Sequence, residues 1–217
     1  MPITLNGSGT VSGISAGGLP DGIIQSADLA SGVGESKVLK VVHKMDGTKS
    51  SSTTQVTGNS FTSATELSNL TITLTPTDAT TIFHITGTLC ATHKASYMGK
   101  AWVTYQIYGG SEQMITGNAD TSHRSTYAIN SASDGTVGIM NAPIPINVIL
   151  DHNTTSAVTI RIRVATSWDS GLVAINRDIN NTTGSNNDSA NMISCLCVTE
   201  YVGSAVTATD TTIYRGT

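Results

Sequence analysis

Apolar and polar residues alternate with a period of two along much of this chain, the spacing of strands that turn one face to a core and the other to solvent. The clearest case is Leu70-Thr71-Ile72-Thr73-Leu74-Thr75, closed by Pro76 and Asp78. Further strands are predicted over 37–44, ending at Asp46-Gly47, and over 81–93 and 101–108, the latter turning at Gly109-Gly110 into a return over 112–116. Residues 138–141, 144–150, 159–165, 172–176 and 192–201 complete the series, with 61–66 a weaker member. Pro143 and Pro145 flank Ile144, which predicts an edge or a bulge, because proline has no N–H to give a ladder. No helix of three turns is visible after residue 36. About ten short strands with turn signals between them predict an all-β fold, a β-sandwich of jelly-roll type. No internal repeat is present, which argues against a β-helix or a propeller.

The first 36 residues differ in character. Ile3, Leu5, Val11, Ile14, Leu19 and Ile23 are scattered among glycines and small polar residues, with almost no charge. Such a stretch builds no core of its own and needs a partner surface. Within it, Ser26-Ala27-Asp28-Leu29-Ala30 has the makings of one helical turn, capped by Ser26 and ended by Gly32 or Gly34. The chain therefore reads in three parts. Residues 1–36 form an extended N-terminal docking segment, 37–203 a β-sandwich head, and 204–217 a polar tail with one apolar anchor at Ile213-Tyr214.

Composition supports the strand reading. Ser and Thr exceed a quarter of the 217 residues, and charged residues are 12%, against roughly a quarter in ordinary globular proteins. β-Branched side chains suit a pleated surface. With few charges to guard its edge strands, such a sandwich is expected to cover them against copies of itself, as a homo-oligomer. The net charge of −4 and the lack of any Lys/Arg run predict no nucleic-acid partner. No stretch reaches the roughly 20 apolar residues of a membrane span, and Met1-Pro2-Ile3 does not open like an export signal. Cys90, Cys195 and Cys197 lack zinc-type spacing. Cys195 and Cys197, two apart on one strand, read as small buried hydrophobes, with a Cys90–Cys195 disulfide as the alternative.

The opening from Ile3 to Ala30 resembles the N-terminal stretch of bacteriophage virion fibre proteins, particularly those of marine and cyanobacterial phages. The order of later segments is similar too. Val38-Leu39-Lys40-Val41-Val42 resembles a first head strand, and the Leu70–Pro76 block followed by a strand at Ile82 resembles the family's next two. Leu172-Val173-Ala174-Ile175-Asn176-Arg177 resembles a late strand, and Cys195-Leu196-Cys197-Val198-Thr199-Glu200-Tyr201 a closing strand with its Glu. The resemblance implies a trimeric β-sandwich head mounted on a virion, assembled in the host cytoplasm and presented to the host surface. The chain departs from the family pattern in having no long shaft between residues 36 and 37 and in its added C-terminal tail.

Candidate chemistry points away from catalysis. His43, His84, His93, His123 and His152 are dispersed, with no HxxxH pair. They read as ordinary surface or hydrogen-bonded histidines; one per subunit on a three-fold axis is the alternative by which a metal would be held. Asp120, Asp134, Asp151, Asp169, Asp178 and Asp188 fall in loops or at strand ends, where Asp is a turn residue. No enzyme, cofactor or resident metal is expected. Sugar sites pair an aromatic face with polar hydrogen-bonders. That pattern selects Trp168 with Asp169, Tyr97, and Tyr127 with Arg124 as receptor-contact candidates, against core capping and subunit contact as their ordinary uses. Trp102, inside an alternating strand, reads as core. The expected function is a tail fibre or fibre tip attaching to host polysaccharide or protein, and held to other virion proteins through residues 1–36. The alternative is a capsid decoration or head fibre with no receptor role.

Overall fold

The computed structural model describes residues 4–5, 11–12, 38–56, 60–94, 99–115, 126–129, 143–167, 171–177, 192–203 and 213–215. The chain divides into two compact units, Met1–Lys37 and Val38–Thr217. In the first, β1 (Thr4–Leu5) pairs antiparallel with β2 (Val11–Ser12), placing Leu5 opposite Val11. Of the other expected docking positions, Ile3, Ile14, Leu19 and Ile23 lie outside the described residues, as does the helical turn expected at 26–30.

The second unit is a β-sandwich. One sheet holds seven strands: β3 (Val38–Asp46), β4 (Ser50–Ser52), β7 (Ile82–Lys94), β11 (Pro143–Asp151), β13 (Leu172–Ile175), β14 (Ser194–Tyr201) and β15 (Ile213–Arg215). The other holds six: β5 (Thr65–Glu66), β6 (Ile72–Leu74), β8 (Gly99–Ile107), β9 (Gln113–Ile115), β10 (Tyr127–Ile129) and β12 (Val158–Thr166). The ladders are antiparallel except that of β11 with β15. The chain crosses between sheets, β7 to β8, β10 to β11, β11 to β12 and β12 to β13, in the jelly-roll manner the alternation predicts.

The core lies between the sheets and follows the period of two. Val158, Ile160, Ile162 and Val164 of β12 point inward with Val103 and Tyr105 of β8. They meet Phe83, Ile85 and Leu89 of β7, Leu196 and Val198 of β14, and Ile146 and Leu150 of β11. Each such side chain contributes about 1.5–3 kcal/mol relative to exposure.

Several elements depart from the sequence expectation. The stretch 61–66 is a 3-10 turn (Phe61–Ser63) followed by the two-residue β5. Leu70 ends another 3-10 turn, so the alternating block is strand only over Ile72–Leu74. Three serines form β4 because β13 offers them an open ladder, a pairing no propensity announces. Tyr127–Ile129, expected as loop, is β10, bound to β8. The strand expected at 138–141 lies outside the described residues. Within the segment read as a polar tail, Ile213–Arg215 is β15, running parallel to β11 with Ile213 beside Ile149.

The prolines of β11 sit where expected. Pro143 and Pro145 pair with Cys90 and Thr88 of β7, and β15 covers β11 only from Ile149 onward. On the same parity as the prolines, Asn147 sends its N–H away from β7, where the Tyr127 hydroxyl accepts it at 3.0 Å. The two prolines thus fall where no ladder donor is needed.

A candidate contact face

The two outer surfaces of the sandwich are built oppositely. On the seven-stranded sheet, β11, β7, β14 and β3 lie side by side in that order, and their registers fix which residues share the outer face. One row across it reads Asn147, Thr86, Cys197, His43; the next reads Pro145, Thr88, Cys195, Met45. In the other direction stand Ile149, His84, Thr199 and Val41. By register, formal charge enters this face only towards its ends: Asp151 with Arg215 of β15 beside it, and Lys94 at the far end of β7. The remainder is hydroxyl, thiol, imidazole, amide and hydrocarbon. His84 bonds the Asn147 side chain at 2.7 Å and its ring lies 6.3 Å from that of Tyr201, both contacts within the face.

The face runs out to β3, which among the described residues pairs only with β14. Its outward apolar residues are open: Val41 is 60% exposed and Met45 62%. The inner side of this edge strand carries Lys40, Val42 and Lys44, opposite Glu200, Val198 and Leu196. Lys40 reaches the Thr75 carbonyl and lies 3.5 Å from Glu200. Inward-pointing lysines on an edge obstruct the addition of a further strand. The expectation that few charges guard the edges therefore fails at β3, because register places two lysines on the side where they do so.

The outer face of the six-stranded sheet is covered over β8. Trp102, fully buried, packs with Val56, Ala64 and Ala165, with Phe61 and Met114 against them, so β8 is covered on both faces. Beside it Arg163 clasps Glu112 with two contacts of 2.7 and 2.8 Å, donates to the Ala64 carbonyl at 3.0 Å and reaches Glu66 at 3.3 Å. Arg161 lies 3.4 Å from Glu66. Burial works to raise the Glu112 carboxyl, but the bonds from Arg163 and Thr104 outweigh it and hold it below its ordinary value. Arg163, Glu112 and Glu66 are thus paired within the chain.

Two polar constellations were not foreseen. Glu200, wholly buried, accepts from the Thr77 N–H and from the Thr77 and Thr81 hydroxyls. Burial opposes its ionisation, yet those donors and Lys40 keep its carboxyl below the ordinary value. Thr81 also meets His152 Nε2 at 3.2 Å, while His152 Nδ1 accepts the Thr154 N–H at 3.3 Å. With Nδ1 as acceptor, Nε2 carries the proton of the neutral ring, so His152 donates to Thr81 and is not placed to take its proton as a base. The cluster ties β14 to the loop before β7. Elsewhere a cleft of about 140 Å³ is lined by Ser50, Ser51, Ser68 and Thr65 together with Leu67 and Ile175. At its rim Asp46 accepts from Asn69 at 3.3 Å and from the Thr48 N–H at 2.9 Å. Among the described residues, no group of three or more His, Cys, Asp or Glu is placed to hold a metal, and no helix is long and apolar enough to cross a membrane.

Of the receptor-contact candidates, Tyr97, Arg124, Trp168 and Asp169 lie outside the described residues. Tyr127 is half-buried, packs against the main core and spends its hydroxyl on Asn147. Trp102 is core, though of the outer cluster rather than the central one. Cys195 and Cys197 are not buried hydrophobes. Register turns them outward onto the contact face, where they are half-exposed, and all three cysteines are free thiols. Cys90 is buried, and burial pushes its thiol up. The signal that would have found the face is the uncharged alternation His84-x-Thr86-x-Thr88 and Cys195-x-Cys197-x-Thr199, which places no Lys or Glu where an exposed strand ordinarily carries them.

No family model matches the chain, and no curated protein does. Among solved structures, it is similar to a chain of infectious bursal disease virus strain Gx, at 16% identity and a TM-score of 0.30, and to one of the VP2 subviral particle of infectious bursal disease virus, at 12% and 0.30. Each alignment covers 75% of this chain and 37% of the other, so the chain spans little more than a third of the length of those it overlays. These neighbours come from virus particles and neither is a tail fibre. A likeness of that TM-score carries no argument about function.

Proposed function

We propose that this chain is a structural protein of a virus particle, held in an assembly through the largely uncharged outer face of its seven-stranded sheet. The observation that carries the reading is that face: broad, nearly free of charge, and ending in exposed Val41 and Met45. Solitary soluble domains scatter charge over such a surface, whereas surfaces buried between proteins lose Lys, Glu and Asp from their centres. The finer part of the proposal is a bacteriophage fibre or fibre tip, a homotrimer contacting glycans of the host. It is supported by the resemblance of residues 3–30 to virion fibre proteins and by the hydroxyl-lined cleft beside Asp46 and Asn69, which offers the polar groups a sugar would bond. A chain built for packing and presentation has no call for catalysis or a cofactor, and we assign it none.

The test is gold-labelled antibody on purified virus particles viewed by electron microscopy. Label on the tail or its fibres supports host attachment. Label spread over the capsid supports the second reading, a decoration protein, and removes the receptor role. Particles without label overturn the virion reading.

A further inference from the structure

We infer that the outer face of β11, β7, β14 and β3 is covered by a second copy of this chain, packed face to face rather than strand to strand. The inference rests on the assembly role proposed above and names the partner.

Three observations select this occupant. First, the face is compatible with itself. A surface whose formal charges stand at its ends, with none on the rows between, meets its own copy without opposing like charges at its centre, while a partner of strong charge finds little there to pair with. Second, the size is adequate. Four strands about 4.8 Å apart and nine residues long, at about 3.3 Å per residue, cover roughly 600 Å². Two such faces bury roughly 1,200 Å², the lower bound of standard stable interfaces. Third, the edge excludes the other geometry. Lys40 and Lys44 point to the inner side of β3, where a strand added to the ladder would have to accommodate them, whereas Val41, His43 and Met45 on the outer side are open.

Cys195 and Cys197 sit within this face as half-exposed free thiols, and Cys90 is buried, so the protein carries its own reporter. The experiment measures the native mass of the full chain by light scattering, and the rate at which maleimide labels each cysteine. Three proteins are compared: the wild type, Thr86→Lys in the middle of the face, and Thr159→Lys, at a half-exposed position on the outer side of the six-stranded sheet. The expected result is a wild type of more than one chain mass with slow labelling at Cys195 and Cys197. Thr86→Lys then falls toward one chain mass and labels at least about tenfold faster there, while Thr159→Lys behaves as the wild type. Far-ultraviolet circular dichroism verifies the fold of each variant, and Thr88→Glu replaces Thr86→Lys if that variant does not fold.

A wild type of one chain mass overturns the inference. An assembly that survives both Thr86→Lys and Thr88→Glu also overturns it, since the contact then lies elsewhere. The two proposals fail separately. A chain that self-associates through this face but is found on no particle sinks the virion reading alone, and a particle-bound chain of single mass sinks this one alone.

Discussion

Replacing Arg163 by Met tests how the six-stranded sheet is closed on its outer side. The guanidinium makes two charge-assisted bonds to Glu112, one to the Ala64 carbonyl and a longer one to Glu66, and both Arg163 and Glu112 side chains are 12% exposed. Methionine fills similar space but leaves Glu112 ionised without its partner and Ala64 without its donor. Breaking one side of a buried pair in this way costs about 3–5 kcal/mol, because the desolvated charge that remains is uncompensated. The Glu112→Gln partner keeps an acceptor for the Thr104 hydroxyl, which now bonds the carboxylate. The double variant Arg163→Met/Glu112→Gln therefore recovers much of the loss, with a coupling between the two sites of at least about 2 kcal/mol. Urea unfolding at pH 7 and one fixed protein concentration, followed by circular dichroism, gives the midpoint and slope for all four members of the cycle. A loss below about 1 kcal/mol in the single variant, or a coupling within about 0.5 kcal/mol of zero, would refute the claim that this ion pair is buried and self-satisfied.

Tyr127→Phe should cost about 1 kcal/mol and speed hydrogen exchange at the Asn147 amide, which loses its acceptor; unchanged exchange contradicts the hydrogen bond. A Cβ on Gly87 would stand 2.2 Å from the Cys195 carbonyl oxygen, whereas one on Gly47 meets only Ile193 at 3.7 Å. Gly87→Ala should therefore lose about 1–3 kcal/mol or fail to fold while Gly47→Ala stays near neutral, and equal stabilities in the two would count against the β7–β14 register. Burial lowers His152 below its ordinary 6.5, so below that pH the unfolded chain binds the extra proton and the folded state loses stability. Glu200, held below 4.5, adds a second loss as pH falls further, since its stabilisation is present above 4.5 and disappears through its lower folded value. His152→Gln should flatten the fall in melting temperature between about pH 6.5 and 5 and leave the more acidic part; an unchanged slope refutes the assignment.

Alternation along the chain sets the class of the fold. Val158, Ile160, Ile162 and Val164 alternate with Thr159, Arg161 and Arg163, and a period of two can bury one set only by forming a strand against another sheet. The same logic fixed the long strands at 82–94, 143–151 and 194–201, and proline chemistry fixed which part of β11 lacks a ladder donor. Long-range contacts set what depends on pairing. Three serines became β4 because β13 needed a neighbour, and Ile213–Arg215 joined β11 across many residues of chain. Alternation says that Cys195 and Cys197 share a face but not which one; only the register that buries Leu196 beside Gly87 turns them outward. The contact face is likewise invisible one strand at a time. Uncharged residues on β11, β7, β14 and β3 become a surface only when hydrogen-bond register brings four distant segments side by side. A chain's pattern can state which residues need cover; long-range pairing states where they meet.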